Sequence, residues 1–134
     1  MGKVVARFNL HIFSVVIVTG GKDAVESVEL LYTNGTHRCF LPDLPQAKRS
    51  PTQVGLLTCA SAEPEAKKSC WTISGGKWKK SHTLTGSAGY GQVGWASPQG
   101  VLLMGGISNG STMTELLMEN GYTKPGFRLK YKAQ

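Results

Sequence analysis

Short apolar runs closed by small residues recur along the chain, without the 3.6-residue spacing of an amphipathic helix. Val16-Ile17-Val18-Thr19 ends in Gly20-Gly21, and Val101-Leu102-Leu103-Met104 ends in Gly105-Gly106. Between them, Gly55-Leu56-Leu57-Thr58 with Cys59-Ala60 after it is a degenerate third copy. Such runs are too short for a helix and predict strands buried on both faces. The glycine pairs give Gly20, Gly21, Gly105 and Gly106 a structural role: a positive-φ turn, or a close backbone approach that a Cβ would block.

The segment after each run repeats as well. Val28-Glu29-Leu30-Leu31-Tyr32-Thr33-Asn34-Gly35 aligns with Thr114-Glu115-Leu116-Leu117-Met118-Glu119-Asn120-Gly121, sharing Glu, both Leu, Asn and Gly. Cys70-Trp71-Thr72-Ile73-Ser74-Gly75-Gly76 is the weaker middle copy. Asn-Gly predicts a hairpin, because a type I′ turn needs positive φ at both central residues. A third strand is expected at Cys39-Phe40-Leu41, at Trp78 with Leu84, and at Phe127 with Leu129. The stretch from Arg49 to Gly55 looks too short for a full strand and turn, so the middle unit is expected to be irregular. Units of about 45 residues with four antiparallel strands describe blades of a β-propeller.

This order of apolar strand, Gly-Gly, polar loop, second strand and later aromatic resembles the kelch repeat. Glu29 and Glu115 occupy the second-strand position, and Trp78 fits the later aromatic. The resemblance implies an all-β chain of kelch-type propeller blades, about three over residues 1–134, in an incomplete or open ring. Propellers close with 4–8 blades, so the remaining blades would come from a longer chain or an oligomer. Two departures stand out. Cys59-Ala60 replaces the middle glycine pair, and Pro51 sits near where the family often has His.

Composition narrows the classes. The hydrophobic fraction of 40% excludes a disordered tail, and the 17 glycines are spread as turns rather than gathered in a linker. A net charge of +7 favours acidic partners. Basic residues concentrate at Lys67–Lys80 and Lys124–Lys132, with aromatics interleaved, but no nucleic-acid motif accompanies them. Nucleic acid is therefore a minor reading. No apolar run approaches the roughly 20 residues of a membrane span. Lys3 and Arg7 precede Ile12–Val18 in the manner of a signal peptide, but the run ends in Thr19-Gly20-Gly21 without a small-residue cleavage site. It reads as a strand, and a targeting segment is not expected.

Catalytic chemistry is hard to assemble. His11, His37 and His82 are far apart, and Cys39, Cys59 and Cys70 lack metal-ligand spacing. Nothing supports a triad from Ser50, His82 and Asp43, and no Tyr/His copper set is evident. Gly86-Ser87-Ala88-Gly89-Tyr90-Gly91 lacks the strand-loop-helix context of a phosphate loop. No catalytic residue, metal or cofactor is expected. Cys59 ends one strand and Cys70 begins the next, so an antiparallel pairing brings them within disulfide reach; two buried free thiols fit the same register. Sequons at Asn34 and Asn109 fall in turns that would tolerate a glycan, though each is also a good turn sequence. Disulfide spacing and sequons tilt the compartment toward extracellular.

The function expected is a non-catalytic protein-binding module presenting loops on a propeller face. Lys48 and Arg49 are the candidate contacts for an acidic partner, with Tyr90 beside them. Trp71, Trp78 and Trp95 are expected between blades. The alternatives are a carbohydrate-active or oxidase-like propeller enzyme, and a basic binder of glycosaminoglycan or nucleic acid.

Overall fold

The computed structural model describes residues 4–10, 13–19, 27–32, 38–48, 51–60, 68–85, 92–105 and 113–130. Within them the chain is all-β, with no helix. Sheet 1 holds β1 (Val4–Leu10), β2 (Phe13–Thr19), β3 (Val28–Tyr32) and β4 (Arg38–Leu41). Sheet 2 holds β5 (Thr52–Val54), β6 (Leu57–Cys59), β7 (Ser69–Ser74) and β8 (Lys77–Thr83). Sheet 3 holds β9 (Gln92–Ser97), β10 (Gly100–Gly105), β11 (Thr114–Leu117) and β12 (Thr123–Pro125). Each sheet pairs its strands antiparallel and in chain order, and none closes into a barrel.

Each apolar run turns out to be the second strand of its sheet, not the first. A more polar strand precedes it and pairs with it antiparallel, Leu10 with Phe13, Val54 with Leu57, and Ser97 with Gly100. Gly55-Leu56 and Pro98-Gln99 make two-residue hairpin loops in sheets 2 and 3. The stretch before Gly55 does hold a strand and a turn, compressed into the three residues of β5. Burial on both faces is also not general, since Val101 and Met104 are only half-buried.

Register shows how the units correspond. Thr19 pairs with Val28, Cys59 with Cys70, and Met104 with Thr114, each the last pair between the second and third strands. The next residue in two of the units has positive φ: Ala60 at 61° and Gly105 at 75°. Ala60, not Cys59, therefore matches the glycine position, and the middle copy slips by one residue against the glycine-pair alignment. Gly20, Gly21 and Gly106 lie outside the described residues.

The hairpin turns differ in chemistry. Gly75 and Gly76, at φ +58° and +73°, make the expected turn between β7 and β8. Asn120-Gly121 does not make a type I′ turn, because only Gly121 has positive φ (+87°). Met118 N–H donates to Tyr122 O (2.9 Å) and Gly121 N–H to Met118 O (3.1 Å), a three-residue loop with the glycine in the left-handed position. Asn34-Gly35 lies outside the described residues. The outer strand of sheet 3 is Thr123–Pro125; Phe127–Leu129 come after it without strand pairing.

Alternation gives each sheet two faces, and the sheets stack in sequence. On sheet 1, Ile17, Val28, Leu30 and Leu41 pack with Leu44 and with Trp78 of sheet 2. On sheet 2, Leu57, Cys59 and Cys70 pack with Leu84 and with Val101, Leu103 and Leu117 of sheet 3. The first strands also meet, β5 touching both β1 and β9. At Gly94 a Cβ would overlap the Val54 side chain, so glycine permits β9 to lie this close to β5.

Gly100 has φ +142°, and a Cβ there would overlap the Leu117 carbonyl oxygen. Backbone cannot yield as a side-chain tip does. Gly100→Ala is therefore expected to lose about 2 kcal/mol from strain and overlap together. Urea denaturation checks this; an unchanged midpoint would contradict it.

Candidate functional site

Lys48 sits in the segment joining sheet 1 to sheet 2, where Pro42, Pro45 and Pro51 discourage regular structure. It is fully buried, with 0% exposure, so it is not an exposed contact for an acidic partner. Its Nζ donates to Ala60 O (3.1 Å), Ser69 O (2.8 Å) and Ser69 Oγ (3.0 Å). Ser69 Oγ in turn donates to Gln46 Oε1 (2.6 Å), which also accepts from Trp71 Nε1 (3.3 Å). Three acceptors match the three protons of an ammonium. Burial nevertheless pushes the Lys48 pKa down from 10.5 to about 7. The segment is thus clasped onto both ends of the β6–β7 connection. Arg49 and Tyr90 lie outside the described residues.

The tryptophans divide. Trp78 packs on the core of sheet 1 as expected between units, and its Nε1 donates to Pro42 O (2.7 Å). Trp71 is half-buried against the Gln46–Ser69 network. Trp95 is 59% exposed, on a face of sheet 3 that no other sheet covers among the described residues. Cys59 and Cys70 form a disulfide, directly opposite each other on β6 and β7. Asn34 and Asn109 lie outside the described residues.

Sequence reasoning missed two other latches. Glu115, on β11, is nearly buried, and both carboxylate oxygens accept from Thr85 N–H (3.1 and 2.9 Å). Gln53 Oε1 accepts from the hydroxyls of Thr19 (3.0 Å) and Thr58, joining sheets 1 and 2. The Glu29–Glu115 repeat was a signal for the first; an isolated Gln gives none for the second.

An open cleft of about 450 Å³ lies between the outer strand of sheet 2 and the β11–β12 turn. Lys80, Ser81, His82, Thr83 and Thr85 line one side, and Gly121, Tyr122 and Thr123 the other. His82 Nε2 lies 2.7 Å from Met118 O, which can only accept, so that nitrogen carries the proton. Nδ1 lies 3.0 Å from Ser81 Oγ, whose hydroxyl also reaches Cys70 O at 3.4 Å. Both ring nitrogens are engaged, and the histidine ties sheet 2 to the turn of sheet 3.

Lys80 of the cleft wall is exposed, as are Lys77 and Lys79 on the same strand and Lys124 beside Thr123 on β12. Arg128 and Lys130, exposed as well, come after β12, where Arg128 Nη2 donates to Met113 Sδ (3.4 Å). Among the described residues, no three His, Cys, Asp or Glu gather closely enough to hold a metal ion. No helix among them is long and apolar enough to cross a membrane. Set against known proteins, the chain matches no family model and no curated sequence.

Proposed function

We infer that the chain is a non-catalytic binding module of kelch-type propeller blades, and that its basic outer rim engages an acidic segment of a protein partner. The blade reading is supported by three four-stranded sheets in chain order, stacked in sequence with their first strands adjacent. One observation carries the binding reading. Lys80 lines the cleft from the edge strand of sheet 2, which also carries exposed Lys77 and Lys79, and exposed Lys124 follows the lining residue Thr123 on β12, the edge strand of sheet 3. Exposed β8 lysines also guard a sheet edge against strand addition. A further cation, Lys124, next to the opposite wall of the concavity favours a ligand. The Cys59–Cys70 disulfide favours an oxidising compartment for this module.

The same rim supports a second reading, a sulfated or phosphorylated polyanion. Fluorescence anisotropy with labelled decaglutamate separates the two. Decaglutamate is expected to bind the chain and to lose about tenfold in affinity in the Lys79→Glu/Lys80→Glu variant. No binding, or equal binding by the variant, removes the acidic-segment reading. Heparin binding with a steep salt dependence, in the absence of decaglutamate binding, would move the assignment to the polyanion.

A further inference from the structure

The two faces of each sheet are chemically distinct, and the stacking always joins the same pair. One face, here called front, carries Ile17, Thr19, Val28 and Leu30 on sheet 1 and meets sheet 2. The equivalent register positions on sheet 2, Leu57, Cys59 and Cys70, meet sheet 3. On sheet 3 the front positions are Val93, Trp95, Leu102, Met104 and Leu116, and among the described residues no sheet meets them. The segment after each fourth strand obeys the same rule. Leu44 and Leu84 are buried where a further sheet stacks, at 3% and 2% exposure. After β12, Gly126 N–H donates to Thr114 O (2.9 Å) and lays the chain over the front of sheet 3, where Phe127 is 58% exposed.

The complement to this face is present in the same molecule. The back positions of sheet 1 are those that on sheet 3 contact the preceding sheet, and they include Leu31 and Phe40, the latter 70% exposed. Glu29 holds on this back face the register position that Glu115 holds on sheet 3, where the carboxylate caps the chain after β8.

We propose that the front of sheet 3 docks the back of sheet 1 of a second copy of this chain. Two copies joined this way at both ends form a two-fold ring of six sheets. That number lies within the 4–8 blades with which propellers close, and a head-to-tail contact ends in a closed assembly only if its rotation closes. The interface takes none of the β8 lysines of sheet 2, and its test reads the mass of the chain alone, without an acidic ligand, so the two readings fail separately.

Sedimentation equilibrium of the intact chain is the test. The expected mass is twice the 14.4 kDa of one chain. Trp95→Asp and Phe40→Asp are each expected to weaken self-association by roughly 100-fold, since a buried aromatic anchor is replaced by an unpaired charge. Both side chains are exposed in the single chain, so circular dichroism should be unchanged. An equimolar mixture of the two variants is expected to recover dimers, because one intact front and one intact back remain. A monomer at tens of micromolar wild-type chain overturns the proposal. So does failure of the mixture to recover, and so does a Phe40→Asp variant that dimerises by itself, the mark of a front-to-front contact.

Discussion

The native chain is expected to gain stability between about pH 7 and pH 10, and replacing Lys48 with Met is expected to abolish that rise. The folded-state pKa is about 7 against 10.5 for a solvated lysine. Between those values the unfolded chain binds a proton that the folded chain does not, so unfolding becomes harder as pH rises. One proton bounds the slope at about 1.4 kcal/mol per pH unit. Below pH 7 both states are protonated, and the penalty for burying the ammonium is fully present. Every other titratable group is common to both proteins, so the difference between native and variant curves isolates Lys48.

The variant's own stability tests a second effect. Methionine fills the volume but removes the donor that Ala60 O, Ser69 O and Ser69 Oγ now share. Ser69 Oγ keeps Trp71 Nε1 (3.3 Å), so the loss falls on the two carbonyls. Unsatisfied buried acceptors cost about 1–3 kcal/mol each when nothing relaxes. At pH 10, where the native amine is largely neutral, Lys48→Met is expected to lose about 3 kcal/mol. At pH 6 the gap narrows, because the native chain then carries a buried charge. Urea denaturation across this range reads both; parallel curves would show that Lys48 does not titrate on folding.

Most of the strand framework was legible because its cause is local. The second strands announce themselves as apolar runs, and the third strands repeat at a fixed offset that the register of Val28 and Thr114 reproduces. The first strands were harder to see. β5 is only Thr-Gln-Val, and β9 interrupts its apolar residues with Gly94, whose absent side chain answers a neighbouring sheet. The candidate site fared worse. A lysine flanked by prolines and Arg49 reads as solvated, since burial there is imposed by Ala60 and Ser69, distant in sequence. Trp95 erred the other way: its strand position promises a neighbour that the described residues of the single chain do not supply.

Breaking the Cys59–Cys70 disulfide is expected to cost about 3 kcal/mol, the loop-entropy value for a bridge of sequence separation 11. The two Cα atoms are 4.1 Å apart, a close cross-strand pair, and both residues lie in the core between sheets 2 and 3. Cys59→Ala/Cys70→Ala should lower the melting temperature by roughly 10 °C at this chain length. Thiol labelling of the unreduced, denatured chain should find Cys39 alone; three labelled cysteines would refute the bridge. The same loop is held a second time. Lys48 bonds Ala60, just after Cys59, and Ser69, just before Cys70, so clasp and disulfide close one loop in parallel. With the disulfide intact, losing Lys48 leaves the loop ends tethered; without it, the ends separate. The triple variant Cys59→Ala/Cys70→Ala/Lys48→Met should therefore be less stable than the sum of the separate losses, by about 1 kcal/mol. Strict additivity would mean that the lysine acts on the linker alone.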